Sequence, residues 1–107
     1  MPTIREVFAR LRQTHRKALI PFVMAGDPSL PATAQLIQAL AEAGADCVEV
    51  GIPFSDPLAD GPTIQRAASR ALAAGTTPPA VLTMIARLKR RVAVPLILLS
   101  YWNPVAQ

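Results

Sequence analysis

The sequence predicts a parallel α/β fold, and three observations carry that prediction. Three short, strongly apolar runs recur along the 107 residues, and helical segments separate each run from the next. Each run closes on a polar loop, and strands joined through helical crossovers lie parallel. The 11 prolines against 5 glycines favour many short element boundaries and exclude a coiled coil. At this length one domain is expected, and a chain with 51% hydrophobic and 17% charged residues has enough apolar surface to fold.

The elements follow in order. Thr3 and Glu6 form a capping-box pattern, and Ile4, Val7, Phe8 and Leu11 repeat at helical spacing, so a helix is expected from Thr3 to about His15. Ala18 to Met24 reads as a buried strand, with Pro21 tolerable only at an irregularity. Ser29 caps a second helix carrying Leu36, Ile37, Leu40 and Ala41 and ending at Gly44. Cys47 to Gly51 is a second strand, followed by a long loop from Ile52 to Pro62. Thr63 to Ala74 forms a helix stopped by Gly75, and Thr77 with Pro78 starts another that carries Val81, Leu82, Ile85 and Leu88. Val94 to Leu99 is the third strand, interrupted near its start by Pro95.

Charge and cysteine usage narrow the function classes. Net charge is +4, yet the basic residues fall at helical spacing in Arg5 to Lys17 and in Arg87 to Arg91, without interleaved aromatics to stack bases. Neither nucleic acid nor a membrane is expected as a partner, and no apolar run approaches a span or a signal peptide. Cys47 is the single cysteine, which excludes an internal disulfide and fits a reducing, cytoplasmic setting.

Acids concentrate where ligands bind. In parallel α/β folds, whether open sheets or closed barrels, sites form at the loops after the C-terminal ends of strands. Asp46, Glu49, Asp56 and Asp60 lie within fifteen residues of an otherwise basic chain. Glu49 sits on a strand two residues before its C-terminal end, a costly place for a carboxylate that serves only structure. A carboxyl group held there suits general acid/base work. Its plainer reading is a buried ion pair or an edge strand. Asp60 has a plain reading as a turn residue or N-cap of the following helix, and Asp27 and Asp56, each before a proline, share it. A divalent site from Glu49, Asp56 and Asp60 is weak, so no metal is expected. His15 reads as a surface residue, and no glycine-rich phosphate cradle occurs.

The stretch VEVGIPFSDPLADG, from Val48 to Gly61, resembles the motif of the tryptophan synthase α-subunit family. PFVMAGDP from Pro21 to Pro28 and LLSYWNP from Leu98 to Pro104 are similar to that family's first and third strands with their loops, so the resemblance covers essentially the whole chain. It implies the first three βα units of a TIM (β/α)8 barrel, preceded by an extra N-terminal helix. Residues 1–107 then form a single incomplete barrel domain, truncated after strand 3, because eight units take about 250 residues. Phosphate in such barrels binds after strands 7 and 8, outside this stretch.

The resemblance also implies a lyase of tryptophan biosynthesis that cleaves indole-3-glycerol phosphate to indole and glyceraldehyde 3-phosphate. Glu49 is then the acid/base that protonates indole C3, and Asp60 accepts the indole N–H. Phe22, Leu99 and Tyr101 line the indole pocket. Pro53 and Asp56 face a β subunit in an α2β2 heterotetramer, with pyridoxal phosphate expected only in that β subunit and no cofactor in this chain. Two alternatives stand beside this: a non-catalytic piece retaining only β-subunit-binding surface, and another phosphate-binding barrel enzyme. Three parallel strands with two open edges are also expected to self-associate or fold partially when expressed alone.

Overall fold

A computed structural model describes residues 2–55 and 60–100. The element order is α1 (Ile4–Gln13), β1 (Phe22–Met24), α2 (Leu30–Glu42), β2 (Val48–Gly51), α3 (Pro62–Ala73), α4 (Pro78–Leu88) and β3 (Leu96–Leu99). The strands form one parallel sheet in the order β1-β2-β3.

Local chemistry sets the helix ends. The Thr3 hydroxyl accepts the Glu6 N–H at 3.1 Å while the Thr3 N–H donates to the Glu6 carboxylate at 3.4 Å, completing the capping box. Ser29 and Thr77 cap α2 and α4 by accepting the Ala32 and Ala80 N–H groups. Gly44 follows α2 with φ of +112°, the left-handed step that ends many helices.

Two prolines shorten the strands. β1 starts at Phe22 and β3 at Leu96, each directly after a proline that has no N–H to donate. Their carbonyls still hold register: Glu49 N–H donates to Pro21 O at 2.9 Å and Val48 N–H to Pro95 O at 3.0 Å. The strands expected from Ala18 and Val94 therefore begin later, and the pairing survives through the acceptor side.

Alternation along the strands divides the sheet into two faces. On the outer face Val23, Val48 and Val50 pack against Ile37 of α2 and Val81, Met84, Ile85 and Leu88 of α4. Ile37, Val48, Val50 and Val81 are completely buried, each contributing roughly 1.5–3 kcal/mol of transfer free energy. On the inner face α1 sets Val7 and Leu11 against Cys47, Ala18, Ile20 and Ile97, near the strands' N-terminal ends. Ile4 and Phe8 were expected in that stripe but stay exposed, because α1 touches the sheet along one line of its surface. Burial pushes the Cys47 thiol above its ordinary value, with neighbouring Asp46 adding to the effect, and keeps it a packing residue.

α3 covers the upper part of the inner face. Its Ala68 and Ala71 are buried against Met24, with Phe22, Ile64 and Ala67 beside them. The loop after β1 is locked at the same place. Gly26 has φ of +92°, donates its N–H to Thr33 Oγ1 at 3.0 Å, and lies so close to Thr76 that an added Cβ would fall 1.9 Å from Thr76 Oγ1. Gly26→Ala combines a disfavoured backbone with a hard clash and is expected to cost roughly 2–4 kcal/mol. Denaturant unfolding of a complete barrel carrying the substitution checks this, and an unchanged midpoint would contradict it. No helix among the described residues is long and apolar enough to cross a membrane.

Candidate active site at the strand ends

Strand register brings the expected residues to one face. Phe22 pairs with Glu49 and Glu49 with Ile97, while Met24 pairs with Gly51 and Gly51 with Leu99. Residues paired across parallel strands share a face, so Phe22, Met24, Glu49, Gly51, Ile97 and Leu99 all belong to the inner one. α1 closes this face toward the N-terminal ends, leaving the C-terminal ends to form the site.

A cavity of about 270 Å³ opens there, close to the lower end of small-molecule sites. It is lined by Phe22, Met24, Gly51, Ile52, Ile64, Leu99 and Ser100, with Asp60 as the carboxylate. Glu49 is half-buried and stands two residues before Gly51, roughly 7 Å further down the strand, so it lies beneath the cavity rather than in its wall. A larger groove of about 480 Å³ between α2 and α4, lined by Leu30, Met84, Arg87 and Arg91 among others, holds no carboxylate and lies on the outer side of the sheet. Of these two, the strand-end cavity combines apolar walls with an acid.

Of the residues singled out from the sequence, Phe22, Asp60 and Leu99 line the cavity together. Tyr101 and Asp56 lie outside the described residues. Pro53 is buried. Met24, Ile52, Ile64 and Ser100 were not anticipated; strand alternation from Phe22 identifies Met24, and Ile64 sits one helical turn beyond Asp60.

Asp60 is not the N-cap of α3. That position belongs to Gly61, which makes no side-chain cap, and Asp60 offers its backbone carbonyl to Gln65 Nε2 at 2.8 Å. The N-cap reading of this aspartate is therefore removed. Gly51 is small for a reason. A Cβ there would meet Phe22 Cζ at 2.7 Å and Met24 Cε at 3.4 Å, so Gly51→Ala must displace the ring that walls the cavity. The expected result is roughly tenfold weaker binding of an indole ligand by a complete barrel, measured by calorimetry. Wild-type affinity would show that the cavity is not where the ring sits.

Asp27 is the turn residue expected, its N–H donating to Met24 O at 3.3 Å, and its carboxylate also gives both oxygens to Arg70 of α3. Arg70 Nε donates to Oδ1 and Nη2 to Oδ2, each at 2.9 Å, a bidentate pair between the loop after β1 and the last turn of α3. Hydrogen bonding from Arg70 is the larger cause that holds the Asp27 carboxyl below the ordinary carboxylate range, against a partial desolvation. A carboxyl group lowered on folding stabilises the fold in full above its unfolded value, about 3.9, and loses that contribution as pH falls through the lowered value. Unfolding midpoints of wild type and Asp27→Asn are thus expected to differ slightly at pH 7, the pair being partly exposed, and to converge as pH falls through the lowered value. A gap that persists there would contradict this. Among the described residues no group of three or more His, Cys, Asp and Glu could hold a metal ion.

Comparison with known proteins places this arrangement. The family model described as tryptophan synthase alpha chain matches residues 8–107. The tryptophan synthase alpha chain of Geobacter sulfurreducens is 56% identical over 105 residues, covering 98% of this chain and 40% of the relative. That of Carboxydothermus hydrogenoformans is 53% identical over 107 residues, 100% of this chain and 40% of the relative. The chain thus spans about 40% of the length of these curated relatives. The crystal structure of tryptophan synthase subunit alpha from Legionella pneumophila superposes with a TM-score of 0.94 at 42% identity, covering 100% of this chain and 41% of that one. The aminoacrylate-bound tryptophan synthase of M. tuberculosis gives 0.89 at 38% identity, covering 95% of this chain and 41% of its own. The three parallel strands and their helices are accordingly the first βα units of a TIM (β/α)8 barrel, through its third strand, with α1 preceding them. Over nearly its whole length, with the acids and the cavity at the strand ends where such barrels keep their chemistry, the chain belongs to the tryptophan synthase alpha chain family.

Proposed function

We propose that the complete barrel carrying these residues cleaves indole-3-glycerol phosphate to indole and glyceraldehyde 3-phosphate, a retro-aldol lyase step of tryptophan biosynthesis. Residues 1–107 are one incomplete barrel domain in this reading and contribute the indole end of the site. The single observation that supports it best is the shared inner face: Glu49 in register with Phe22, and Asp60 across a cavity walled by Phe22 and Leu99.

Each group has a task that its position suits. The apolar walls hold the indole ring and exclude water. Glu49 delivers a proton to indole C3, which places positive charge on the ring nitrogen. The Asp60 carboxylate accepts the indole N–H and stabilises that charge as it develops. The bond between C3 and the glycerol side chain then breaks, its electron pair returning to the ring. The glycerol hydroxyl gives up its proton as the aldehyde forms, and Glu49, now a carboxylate, is the base that takes it. Tyr101 is a further wall of the indole pocket. The phosphate is held by parts of the barrel beyond this stretch.

Pro53 and Asp56 belong in this reading to a loop that meets a β subunit in an α2β2 assembly, the β subunit holding pyridoxal phosphate and this chain no cofactor. The M. tuberculosis neighbour, a tryptophan synthase structure, supports the partnership. The lone buried Cys47 supports a reducing, cytoplasmic setting.

The test is indole release from indole-3-glycerol phosphate by a complete barrel carrying these residues, together with binding of indole-3-propanol phosphate. Turnover with saturable binding is expected. Binding without turnover would favour the non-catalytic reading, and absence of both would favour another phosphate-binding barrel.

A further inference from the structure

The structure assigns Asp27 and Arg70 as a positioning pair that holds Asp60 in place from the opposite end of α3. This rests on the role proposed for Asp60. α3 has 12 residues, roughly 18 Å of rigid helix, and it joins two functional points. Its first turn grips the Asp60 backbone, since Gln65 Nε2 donates to the Asp60 carbonyl at 2.8 Å. Its last turn carries Arg70, which makes two 2.9 Å bonds to Asp27, 43 residues earlier in the chain.

Something must fix α3 along its own axis, and its packing face is poorly suited to do so. Ile64 packs in the first turn, but beyond it Ala67, Ala68 and Ala71 meet Met24 and Phe22, and small side chains raise only shallow ridges, which resist sliding weakly. A bidentate guanidinium-carboxylate pair has one good geometry, so it supplies the missing directional constraint. Its anchor is firm. Asp27 follows Gly26, whose N–H is held by Thr33 and whose backbone abuts Thr76 just past the end of α3. Asp27 itself is 18% exposed, whereas Arg70 reaches in from the surface at 59% exposed. An exposed pair of this kind contributes little to global stability, so its loss should be read in the placement of Asp60 more than in unfolding.

The experiment compares Asp27→Asn, Arg70→Gln, their double variant, Arg70→Lys and the control Arg66→Gln, which alters an exposed arginine of the same helix. All are made in a complete barrel carrying these residues. Indole release is expected to fall roughly tenfold in kcat in each single variant with KM little changed, as a misplaced charge-stabilising group does. The double variant should be no worse than the poorer single one. Arg70→Lys should recover part of the loss, and Arg66→Gln should match wild type. Independently of turnover, amide hydrogen exchange from Gln65 to Ala68, the first amides of α3 with intrahelical acceptors, is expected to quicken in Asp27→Asn and Arg70→Gln but not in Arg66→Gln. Unchanged exchange in both single variants would overturn the pairing. So would losses that multiply in the double variant. Should the wild-type barrel release no indole, the proposed function fails and the exchange data alone decide whether the pair positions the start of α3.

Discussion

Glu49→Gln is expected to lower kcat for indole release by about 10²–10⁴-fold in a complete barrel carrying these residues. The amide keeps the shape and the hydrogen-bonding capacity of the carboxyl group but cannot give up or take a proton at neutral pH. Packing should be spared. Glu49 is half-buried, its backbone N–H bond to Pro21 is untouched, and among the described residues the ion pair engages Asp27 and Arg70 instead. Binding of indole-3-propanol phosphate is therefore expected to stay within a few-fold of wild type, because the proton transfer belongs to the transition state. A variant that turns over at near-native rates would remove Glu49 from the chemistry. One that loses analogue binding and turnover together would make it a structural residue.

Asp60→Asn should cost about 10²–10³-fold in kcat, by a different route. The amide oxygen still accepts the indole N–H, so the ground state is bound, but the negative charge that stabilises the protonated ring is gone. Asp60 lines the cavity and is not the cap of α3, and the carbonyl it offers to Gln65 is kept in the asparagine. Steady-state kinetics with thermal unfolding separate the two effects. Equal fractional losses in kcat and in analogue affinity would mean that Asp60 binds substrate without favouring the transition state.

Much of this architecture was legible because it is local. Thr3, Ser29 and Thr77 act as the caps their neighbours suggest, and the helical crossovers require the parallel order that the sheet adopts. Glu49 could be singled out from its place at a strand end, Asp60 only through the resemblance of its motif to a known family, and alternation puts Phe22 and Leu99 on the same face as Glu49. What stayed hidden depends on contacts between distant segments. No periodicity announces that Arg70 finds Asp27, or that Thr76 fills the space a side chain on Gly26 would need. The strands expected from Ala18 and Val94 are shorter because Pro21 and Pro95, visible within each apolar run, mark where the regular strand begins. Leu36 and Leu82 were placed in helix stripes yet are 46% and 50% exposed, since each helix buries a narrower band than its apolar residues span.

The most direct measurement is a structure of a complete barrel carrying these residues with indole-3-propanol phosphate bound. The ring is expected between Phe22 and Leu99, above Gly51, with its N–H within hydrogen-bond distance of the Asp60 carboxylate and its C3 facing Glu49. A ring seated elsewhere, or an Asp60 turned away from the nitrogen, would contradict the site described for this chain.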